Sequence, residues 1–479
     1  MTTLAVTDLL EGEALARASN RALRFADGKI AEIYDAGPVS GPRRLVMPGL
    51  VNAHDHARPL SPTSFGGAGK PLESWLARLA VMPAADPYLA ALAAFGRAAR
   101  AGCVSIMAHY TRLHGPMPAP DEAALVAKAA TDIGVRATFA LSMRDRNPLV
   151  YGDAEPVLAR LPGEARHVVE TLFGARMLPF GEQIALVEAC AAAAEGPMVT
   201  VQYGPAGMQW CSDAMLEAIA DASARTGRRV HMHLLETRWQ RAFANAAYPQ
   251  GVLRRLKSIG LLSPRLALAH CVYARPDELD LIAESGATIV ANFSSNLHLR
   301  SGIAPIGEAI RRGCKVAIGI DACALDEDDD ALRELRLGHF AHGGWSFEEV
   351  ISRENYLASV VRNGRAANGV TGSGLLLAGE PADLIVLDLD RLDRDAVMPV
   401  DPLDYLFARA NAAHVAEVIV AGQAIARDGR LLNVDLDAAH AELRARYRRD
   451  MPAKAGFLAA WPHLESAVEN YYCERAGCC

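Results

Sequence analysis

The sequence lacks the features that mark membrane-spanning, secreted and nucleic-acid-binding proteins. No uncharged apolar stretch approaches 18 residues, so we predict no membrane-spanning helix. Acidic residues lie at Asp8, Glu11 and Glu13, and the basic residues come after the first apolar stretch, which is not the pattern of a secretory signal. The 49 Lys and Arg against 56 Asp and Glu give a net charge of −7, which argues against a nucleic-acid or anionic-membrane partner.

Cysteine is present, but its spacing fits no common site. The nine cysteines are an odd number, are scattered, and include no CxxC pair and no zinc-ribbon spacing. We therefore predict a reducing, cytoplasmic location. Cys473, Cys478 and Cys479 form the one cluster, which we interpret as a frayed tail because disorder concentrates at chain ends.

The middle of the chain alternates strands with helices. With 479 residues, of which 51% are hydrophobic and 22% charged, the chain can bury a large core. Short apolar, β-rich runs separated by Ala-rich stretches occur at 45–53, 103–109, 136–143, 198–204, 229–235, 266–272, 287–293 and 315–321. Eight such units predict a (β/α)8 TIM barrel with a parallel sheet. A doubly wound open sheet is the alternative, but its glycine-rich phosphate-binding turn is absent.

Both ends of the chain have a strand-and-turn pattern instead. Residues 22–34 form a hairpin pattern around Asp27-Gly28, and residues 374–388 and 415–434 alternate apolar with polar residues. We therefore predict an α/β protein in which the barrel is inserted in a small β-sandwich made from both ends. The predicted domains are the β-sandwich of residues 1–47 and 366–435, the barrel of residues 48–365, and a C-terminal helical segment of residues 436–479.

Histidine and carboxylate side chains end five of the eight predicted barrel strands, which is the end where TIM barrels carry their chemistry. These residues are His54 and His56, His109, His233 with Glu236, His270, and Asp321. One HxH triplet alone says little, but two that end strands, followed by a His and an Asp on later strands, form a strong signal. Three imidazoles and one carboxylate are a suitable ligand set for zinc that leaves a position open for water.

Burial inside the barrel bears on the interpretation of Asp321, of His109 and of His231, which lies two residues before His233. An unpaired carboxylate inside a barrel is costly, so Asp321 needs a cation or strong donors. His231 points the same way as His233 but lies one layer deeper, so we interpret it as structural or as support for a ligand. His109 is either part of a pocket wall or structural.

Six motifs resemble a known family. They are PGLVNAHDH at 48–56, HLLET at 233–237, LAHCVY at 268–273, NFSSNLHLRSGIAP at 292–305, AIGIDA at 317–322 and GEPADLIVLD at 379–388. Together they resemble the amidohydrolase superfamily, and more closely the branch of the methylthioadenosine/S-adenosylhomocysteine deaminases and the triazine (atrazine-type) hydrolases. The motif set is highly specific for the superfamily and much less specific for the substrate.

The resemblance implies a role for each residue at the strand ends. The implied metal ligands are His54, His56, His233 and Asp321, and the implied catalytic residues are Glu236, His270 and again Asp321. Binuclear members carry a Lys or Glu at the end of strand 4, whereas this strand reads VTVQYG. The resemblance therefore implies one divalent metal ion, Zn²⁺ first and Fe²⁺ as the alternative, since the same N and O ligands suit both.

The reaction that the resemblance implies is a hydrolytic deamination. A metal ion lowers the pKa of its bound water to about 7, which makes hydroxide available at neutral pH. Asp321 would accept a proton from that water, His270 would hydrogen-bond the reacting oxygen, and Glu236 would deliver a proton to a ring nitrogen. Attack at an sp² carbon that bears an amino group then releases ammonia.

The substrate contacts are less well defined, because the sequence departs from the family pattern beside the site. ACALDEDDD follows strand 8 where many relatives have an Asn-containing stretch, and Arg58 follows HDH where relatives often have an aromatic or small residue. The candidate substrate-binding residues are Arg58, His109, Arg144, Gln202, Tyr203, Trp210 and Asn292. Arginines near strand ends 1 to 3, which include Arg112 and Arg146, favour an anionic substrate, and pairing with the acidic loop 326–330 is the alternative. Trp210 and Tyr203 either stack on a flat ring or belong to the core.

Three functions stay open at this point. The first is a deaminase of a nitrogen heterocycle, and the second hydrolyses a cyclic amide or displaces chloride or sulfide from a similar ring. The third is a non-catalytic metal-binding protein, against which Glu236 and His270 argue. We expect a small heterocyclic substrate and a homo-oligomer, with residues 436–472 as a candidate interface, and no nucleic-acid or membrane partner.

Overall fold

The computed structural model describes residues 2–322 and 325–476, and in these ranges it has sixteen strands and eighteen α-helices. The strands are β1 (Thr2–Glu11), β2 (Ala16–Ala26), β3 (Lys29–Asp35), β4 (Arg44–Pro48), β5 (Leu50–Asn52), β6 (Cys103–Tyr110), β7 (Arg136–Met143), β8 (Val199–Pro205), β9 (Val230–Leu234), β10 (Leu266–His270), β11 (Thr288–Ala291), β12 (Lys315–Ile318), β13 (Leu384–Asp388), β14 (Val415–Val420), β15 (Gln423–Arg427) and β16 (Arg430–Leu431).

The α-helices are α1 (Leu72–Arg78), α2 (Pro87–Arg100), α3 (Ala119–Ile133), α4 (Glu155–Leu158), α5 (Gly163–Phe173), α6 (Phe180–Ala194), α7 (Asp213–Thr226), α8 (Arg238–Ala247), α9 (Val252–Ser258), α10 (Pro276–Ser285), α11 (Phe293–His298), α12 (Ile306–Arg311), α13 (Ala331–His342), α14 (Arg353–Asn368), α15 (Leu389–Leu392), α16 (Pro402–Arg409), α17 (Leu436–Asp450) and α18 (Ala455–Ala476). Within the described ranges, none of the helices is both long enough and apolar enough to cross a membrane.

Strands β5 to β12 form the barrel. Each strand pairs in parallel with the next one along the chain. The N–H of Ala53, just after β5, donates to the carbonyl of Ile318 in β12 with an N···O distance of 2.9 Å, which joins the two ends of the sheet. Strands such as β6, β9 and β10 are buried along their whole length, as expected where helices cover a parallel sheet. The predicted (β/α)8 barrel is confirmed.

The first predicted run, residues 45–53, is two strands in two different sheets. β4 belongs to the sheet made by the chain ends and β5 opens the barrel, with Gly49 between them. A Cβ atom at Gly49 would lie 2.3 Å from Cγ1 of Val104 in β6. Glycine therefore allows the backbone to approach the barrel wall closely at the point where the chain changes sheet.

Strands β1 to β4 and β13 to β16 form a second sheet from the two ends of the chain. Its order is β16-β15-β14-β13-β4-β1-β2-β3, in which β1 and β4 are parallel and all other neighbours are antiparallel. Leu9, Leu23 and Val386 belong to a hydrophobic cluster of this sheet's own, while Leu45 and Ile385 pack into the barrel's core. The β-sandwich predicted from both chain ends is thus present as a separate domain, built as one continuous eight-stranded sheet.

The C-terminal helices α17 and α18 lie on the side of the barrel where the strands end. Tyr447 and Trp461 pack in one cluster with Phe65, which follows β5, and with Tyr151, which follows β7. Lys454, in the 3-10 turn between the two helices, donates from Nζ to the carbonyl of Ala80 at 3.2 Å. The C-terminal segment is thereby attached to the loops that surround the strand ends. Cys478 and Cys479 lie outside the described residues, and the domain bounds and the homo-oligomer stay predictions.

Candidate active site

The first two predicted metal ligands follow β5, and their rings are held in fixed orientations. Nδ1 of His56 donates to the carbonyl of His109 at 2.8 Å, and Nδ1 of His54 shares a hydrogen bond of 2.7 Å with Nε2 of His231. The Nε2 atoms of His54 and His56 lie 3.3 and 3.0 Å from Oδ1 of Asp321. Both rings therefore direct Nε2 toward the same carboxylate.

Strand β9 brings His233 to the same centre. Its Nδ1 donates to the carbonyl of Ala206 at 2.8 Å, and its Nε2 lies 3.4 Å from Nε2 of His56. Burial, and then the charges of the neighbouring histidines, lower the pKa of His233 well below its usual value, so the ring is neutral. A neutral ring that donates from Nδ1 has only a lone pair at Nε2, so Nε2 of His233 is available as a metal ligand.

Asp321 follows β12 and completes this cluster. Its Oδ2 accepts a hydrogen bond from Oγ of Ser295 at 2.6 Å. Burial alone would raise the pKa of Asp321, but its contacts with His54 and His56 hold that pKa well below the usual value. The carboxyl group is therefore ionised although it is buried.

Donor atoms of His54, His56 and Asp321 lie close enough together to hold a metal ion, and His233 forms overlapping sets with His54 or His56. Nε2 of His54 is buried and has no hydrogen-bond partner among the described residues. Nε2 of His56 lies 3.4 Å from Nε2 of His233 and 3.0 Å from the buried carboxylate of Asp321. A cation satisfies all of these groups at once, and three imidazoles with one carboxylate suit zinc or iron.

His231 supports the ring of His54 from the layer below. The two rings stack with centroids 4.9 Å apart in addition to their hydrogen bond. We expect His231→Phe to weaken zinc affinity by about 10- to 100-fold, because partners behind a ligand typically contribute that much. Competition with a chromogenic chelator measures the affinity, and His167→Phe, at an exposed position on α5, is the matched control. Equal affinity in His231→Phe and the wild type would show that His231 is only a packing residue.

Glu236 and His270 lie beside the ligand cluster. Nε2 of His270 is 3.6 Å from Oε2 of Glu236 and 4.0 Å from Oδ2 of Asp321, which is too far for direct hydrogen bonds. Nε2 of His270 has no other partner among the described residues. A small polar group between these side chains can therefore hydrogen-bond to all three.

The surroundings of Glu236 and His270 set their protonation. Burial, and then the negative charges of Asp321 and Glu73, raise the pKa of Glu236 well above its usual value, so this carboxyl can hold a proton. Burial lowers the pKa of His270 to about 4, so the ring is neutral. His270 also has a φ of 76°, in the left-handed region, and such strained positions concentrate at functional sites.

These residues line a cavity of about 360 Å³. Three predicted substrate contacts, Arg58, Arg144 and Trp210, line the same cavity. The guanidinium of Arg58 lies over the ring of Trp75, 4.8 Å from its centroid. A cavity of this size, with apolar walls and a few polar groups, suits a small heterocycle.

His109 and Asn292 are not part of the described cavity wall. Nε2 of His109 donates to the carbonyl of Gly204 at 3.2 Å, and its own carbonyl accepts from His56. Nδ2 of Asn292 lies 3.2 Å from Nδ1 of His270. Both residues are buried behind the histidines and contact them instead of the cavity.

Gln202 and Tyr203 are also absent from the described cavity wall. Gln202 points into the barrel, where its Nε2 donates to the carbonyl of Ala367 at 2.8 Å. Tyr203 points to the opposite face of β8, where its hydroxyl hydrogen-bonds to Glu188 of α6. Successive strand residues face opposite sides, so Tyr203 packs in the outer core.

Three further residues at the site were not predicted from the sequence: Trp75 and Lys454 line the cavity, and Ser295 hydrogen-bonds to Asp321. The positions of Trp75 and Ser295 could have indicated a role at the site, because both residues lie in segments that follow barrel strands. The acidic loop 326–330 pairs with Arg97 and Arg333, and neither Arg112 nor Arg144 forms an ion pair with it in the described ranges. Arg112 and Arg144 are therefore not explained by pairing with this loop.

Known proteins are similar to this chain over most of its length. The sequence pattern of the amidohydrolase family matches residues 45–425. The chain is 29% identical over 430 residues to a 5′-deoxyadenosine deaminase of Methanosarcina barkeri, and the aligned residues cover 87% of this chain and 90% of that protein. It is 26% identical over 421 residues to a 5-methylthioadenosine/S-adenosylhomocysteine deaminase of Dictyoglomus thermophilum, and that alignment covers 86% of this chain and 88% of that protein.

Two solved structures share the fold. An adenosine deaminase of Xanthomonas campestris with bound zinc has a TM-score of 0.75 at 23% identity, over 94% of this chain and 98% of that one. The atrazine chlorohydrolase of Arthrobacter aurescens complexed with zinc has a TM-score of 0.73 at 20% identity, over 93% of this chain and 100% of that one. The chain therefore belongs to the amidohydrolase family of hydrolases, as its motifs predict.

Proposed function

We propose that the chain is a metal-dependent aminohydrolase, which removes an amino group from a nitrogen heterocycle as ammonia. The observation that carries the proposal is the arrangement of Glu236, His270 and Asp321 around one gap beside the ligand cluster. A structural metal site needs no buried, protonatable Glu at this position. The deaminase names of the relatives in Methanosarcina and Dictyoglomus support the same reaction.

The proposed cofactor is one Zn²⁺ ion, with Fe²⁺ as the alternative for the same donors. His54, His56, His233 and Asp321 would hold it. When bound, such an ion lowers the pKa of a coordinated water to about 7. The end of β8 supports a single ion, because it offers no carboxylate that could bridge two metals. Gln202 hydrogen-bonds to the carbonyl of Ala367, and Tyr203 points out of the barrel toward Glu188.

The protein's own residues would move the protons. The ionised carboxylate of Asp321, whose Oδ2 is fixed by Ser295, would accept a proton from the attacking water. Glu236, whose raised pKa lets it carry a proton of its own at neutral pH, would deliver that proton to the ring nitrogen of the substrate. Asp321 would then return the water's proton to the amino group, which leaves as ammonia, while Glu236 regains a proton from the hydroxyl group that becomes the carbonyl of the product. Neutral His270 would hydrogen-bond the reacting oxygen, with its Nδ1 held 2.8 Å from Oδ1 of Asn296.

The test is ammonia release by the zinc-loaded protein across aminated heterocycles: 5′-deoxyadenosine, 5-methylthioadenosine, S-adenosylhomocysteine, guanine, cytosine and an aminotriazine. We expect at least one member to release stoichiometric ammonia and the metal-free protein to release none. If metal is bound and no compound in the panel releases ammonia, the result would contradict deamination. Cyclic amides, followed by loss of ring absorbance, and chloro- or alkylthio-substituted rings would then test the other leaving groups.

A further inference from the structure

We infer that the cavity contains a subsite for a terminal oxyanion, a carboxylate or a phosphate, formed by Arg112 and Lys454. The inference deepens the proposed function and rests on it for the identity of the reacting ring. The subsite itself follows from the charges and contacts of the cavity wall.

The charges of the cavity wall are divided between two groups of residues. Among the described lining residues, Glu236 and Asp321 are the only carboxylates, and both belong to the cluster described above. The cationic lining residues are Arg58, Arg112, Arg144 and Lys454. A substrate that fills the cavity therefore meets an excess of positive charge away from the reacting groups.

Backbone carbonyls hold both Arg112 and Lys454 in place. Nη1 of Arg112 donates to the carbonyl of Met82 at 2.8 Å, and Nζ of Lys454 donates to the carbonyl of Ala80 at 3.2 Å. In the described ranges neither side chain forms an ion pair. Arg has five N–H donors and Lys three, so each keeps donors for a ligand.

Some arginines near the strand ends are instead neutralised by a carboxylate. Arg97, for example, donates from Nε to Asp329 at 2.8 Å. In the cavity, burial and then the charge of Arg112 lower the pKa of Lys454, and burial with the charges of Arg112 and Arg58 lowers the pKa of His114 to about 4. These cations therefore disfavour one another's charge, and a bound anion removes that cost.

Lys454 reaches the cavity because the C-terminal segment is folded onto the barrel. It ends the turn Met451–Lys454, and Tyr447 before the turn and Trp461 after it anchor the segment in the cluster with Phe65. Lys454 lies beyond residues 45–425, which match the family pattern. The residue is therefore an addition to the barrel's own wall, placed to select substrates.

The experiment compares adenosine-5′-carboxylate and adenosine 5′-phosphate with neutral adenosine-5′-carboxamide. We expect kcat/KM of the wild type to favour at least one anion over the amide by about tenfold or more, as charge-assisted hydrogen bonds imply. Lys454→Met and Arg112→Met should each reduce this preference by about tenfold through KM, and Lys454→Arg should retain most of it. Lys257→Met, on an exposed side chain paired with Glu284, is the matched control. Equal kcat/KM for anions and amide, or equal effects of the variants on both, would overturn the inference.

A binding measurement separates this inference from the proposed reaction. Trp75 and Trp210 line the cavity, so quenching of tryptophan fluorescence reports occupancy. Nicotinate should bind at least about tenfold more tightly than nicotinamide, and Lys454→Met and Arg112→Met should remove the difference. If no ring is deaminated but nicotinate is preferred, the proposed reaction fails and the subsite stands. Equal binding of the two probes contradicts the subsite.

Discussion

Replacing Glu236 with Gln should lower kcat by about 10²- to 10⁴-fold while the bound metal is retained. Gln keeps the shape of the side chain and an oxygen for the hydrogen bond from Ser301, at 3.3 Å in the structure, but it cannot carry a proton between water and substrate. Glu236 is not one of the four proposed metal ligands, so metal content should stay at the wild-type value. Steady-state ammonia release together with metal analysis of the same sample checks the prediction.

The matched control is Glu188→Gln on α6. Glu188 also accepts hydrogen bonds from neighbouring side chains, Tyr203 and Arg228, but it lies outside the barrel. We expect kcat of this variant to equal that of the wild type. Near-normal turnover in Glu236→Gln would exclude proton transfer by Glu236, and loss of its metal would make Glu236 a structural residue.

Replacing His233 with Ala should remove the metal and the activity together. The change deletes one of three imidazoles and leaves His56 without the atom it faces at 3.4 Å. We expect zinc affinity to fall by more than the roughly 10- to 100-fold typical of partners behind a ligand. Zinc should also raise the melting temperature of the wild type, because it binds only the folded state, and should not raise that of the variant.

His167→Ala is the control for this substitution, because His167 is exposed on α5. It should bind zinc and gain thermal stability as the wild type does. Wild-type zinc affinity in His233→Ala would remove His233 from the ligand set. If the variant melts at the same temperature as the metal-free wild type, the substitution has removed the metal and left the fold intact.

The residues that the sequence could predict are those whose position follows from a local rule. His54, His56, His233, His270 and Asp321 end apolar runs, and parallel strands of a barrel bring their ends to one side. The hairpin at Asp27-Gly28 was predictable for a similar reason, since both residues adopt the positive φ that this turn requires, 51° and 75°.

The remaining features depend on packing that no local pattern encodes. Gln202 and Tyr203 are adjacent in β8, so they cannot both face the inside, and the sequence alone does not say which does. The change of sheet at Gly49 depends on a contact with Val104, which is distant in the sequence. No local pattern around Gly49 predicts that contact. Lys454 reaches the wall through a tertiary contact with Ala80, so its role becomes visible only when the C-terminal segment is folded.

The most direct test of the proposed single-metal aminohydrolase activity is a zinc titration of the metal-free protein, with the best heterocycle of the panel as substrate. Ammonia release should rise in proportion to added zinc and level off at one ion per chain, because β8 offers no bridging carboxylate for a second ion. A plateau at two ions per chain, or full turnover without metal, would contradict the account.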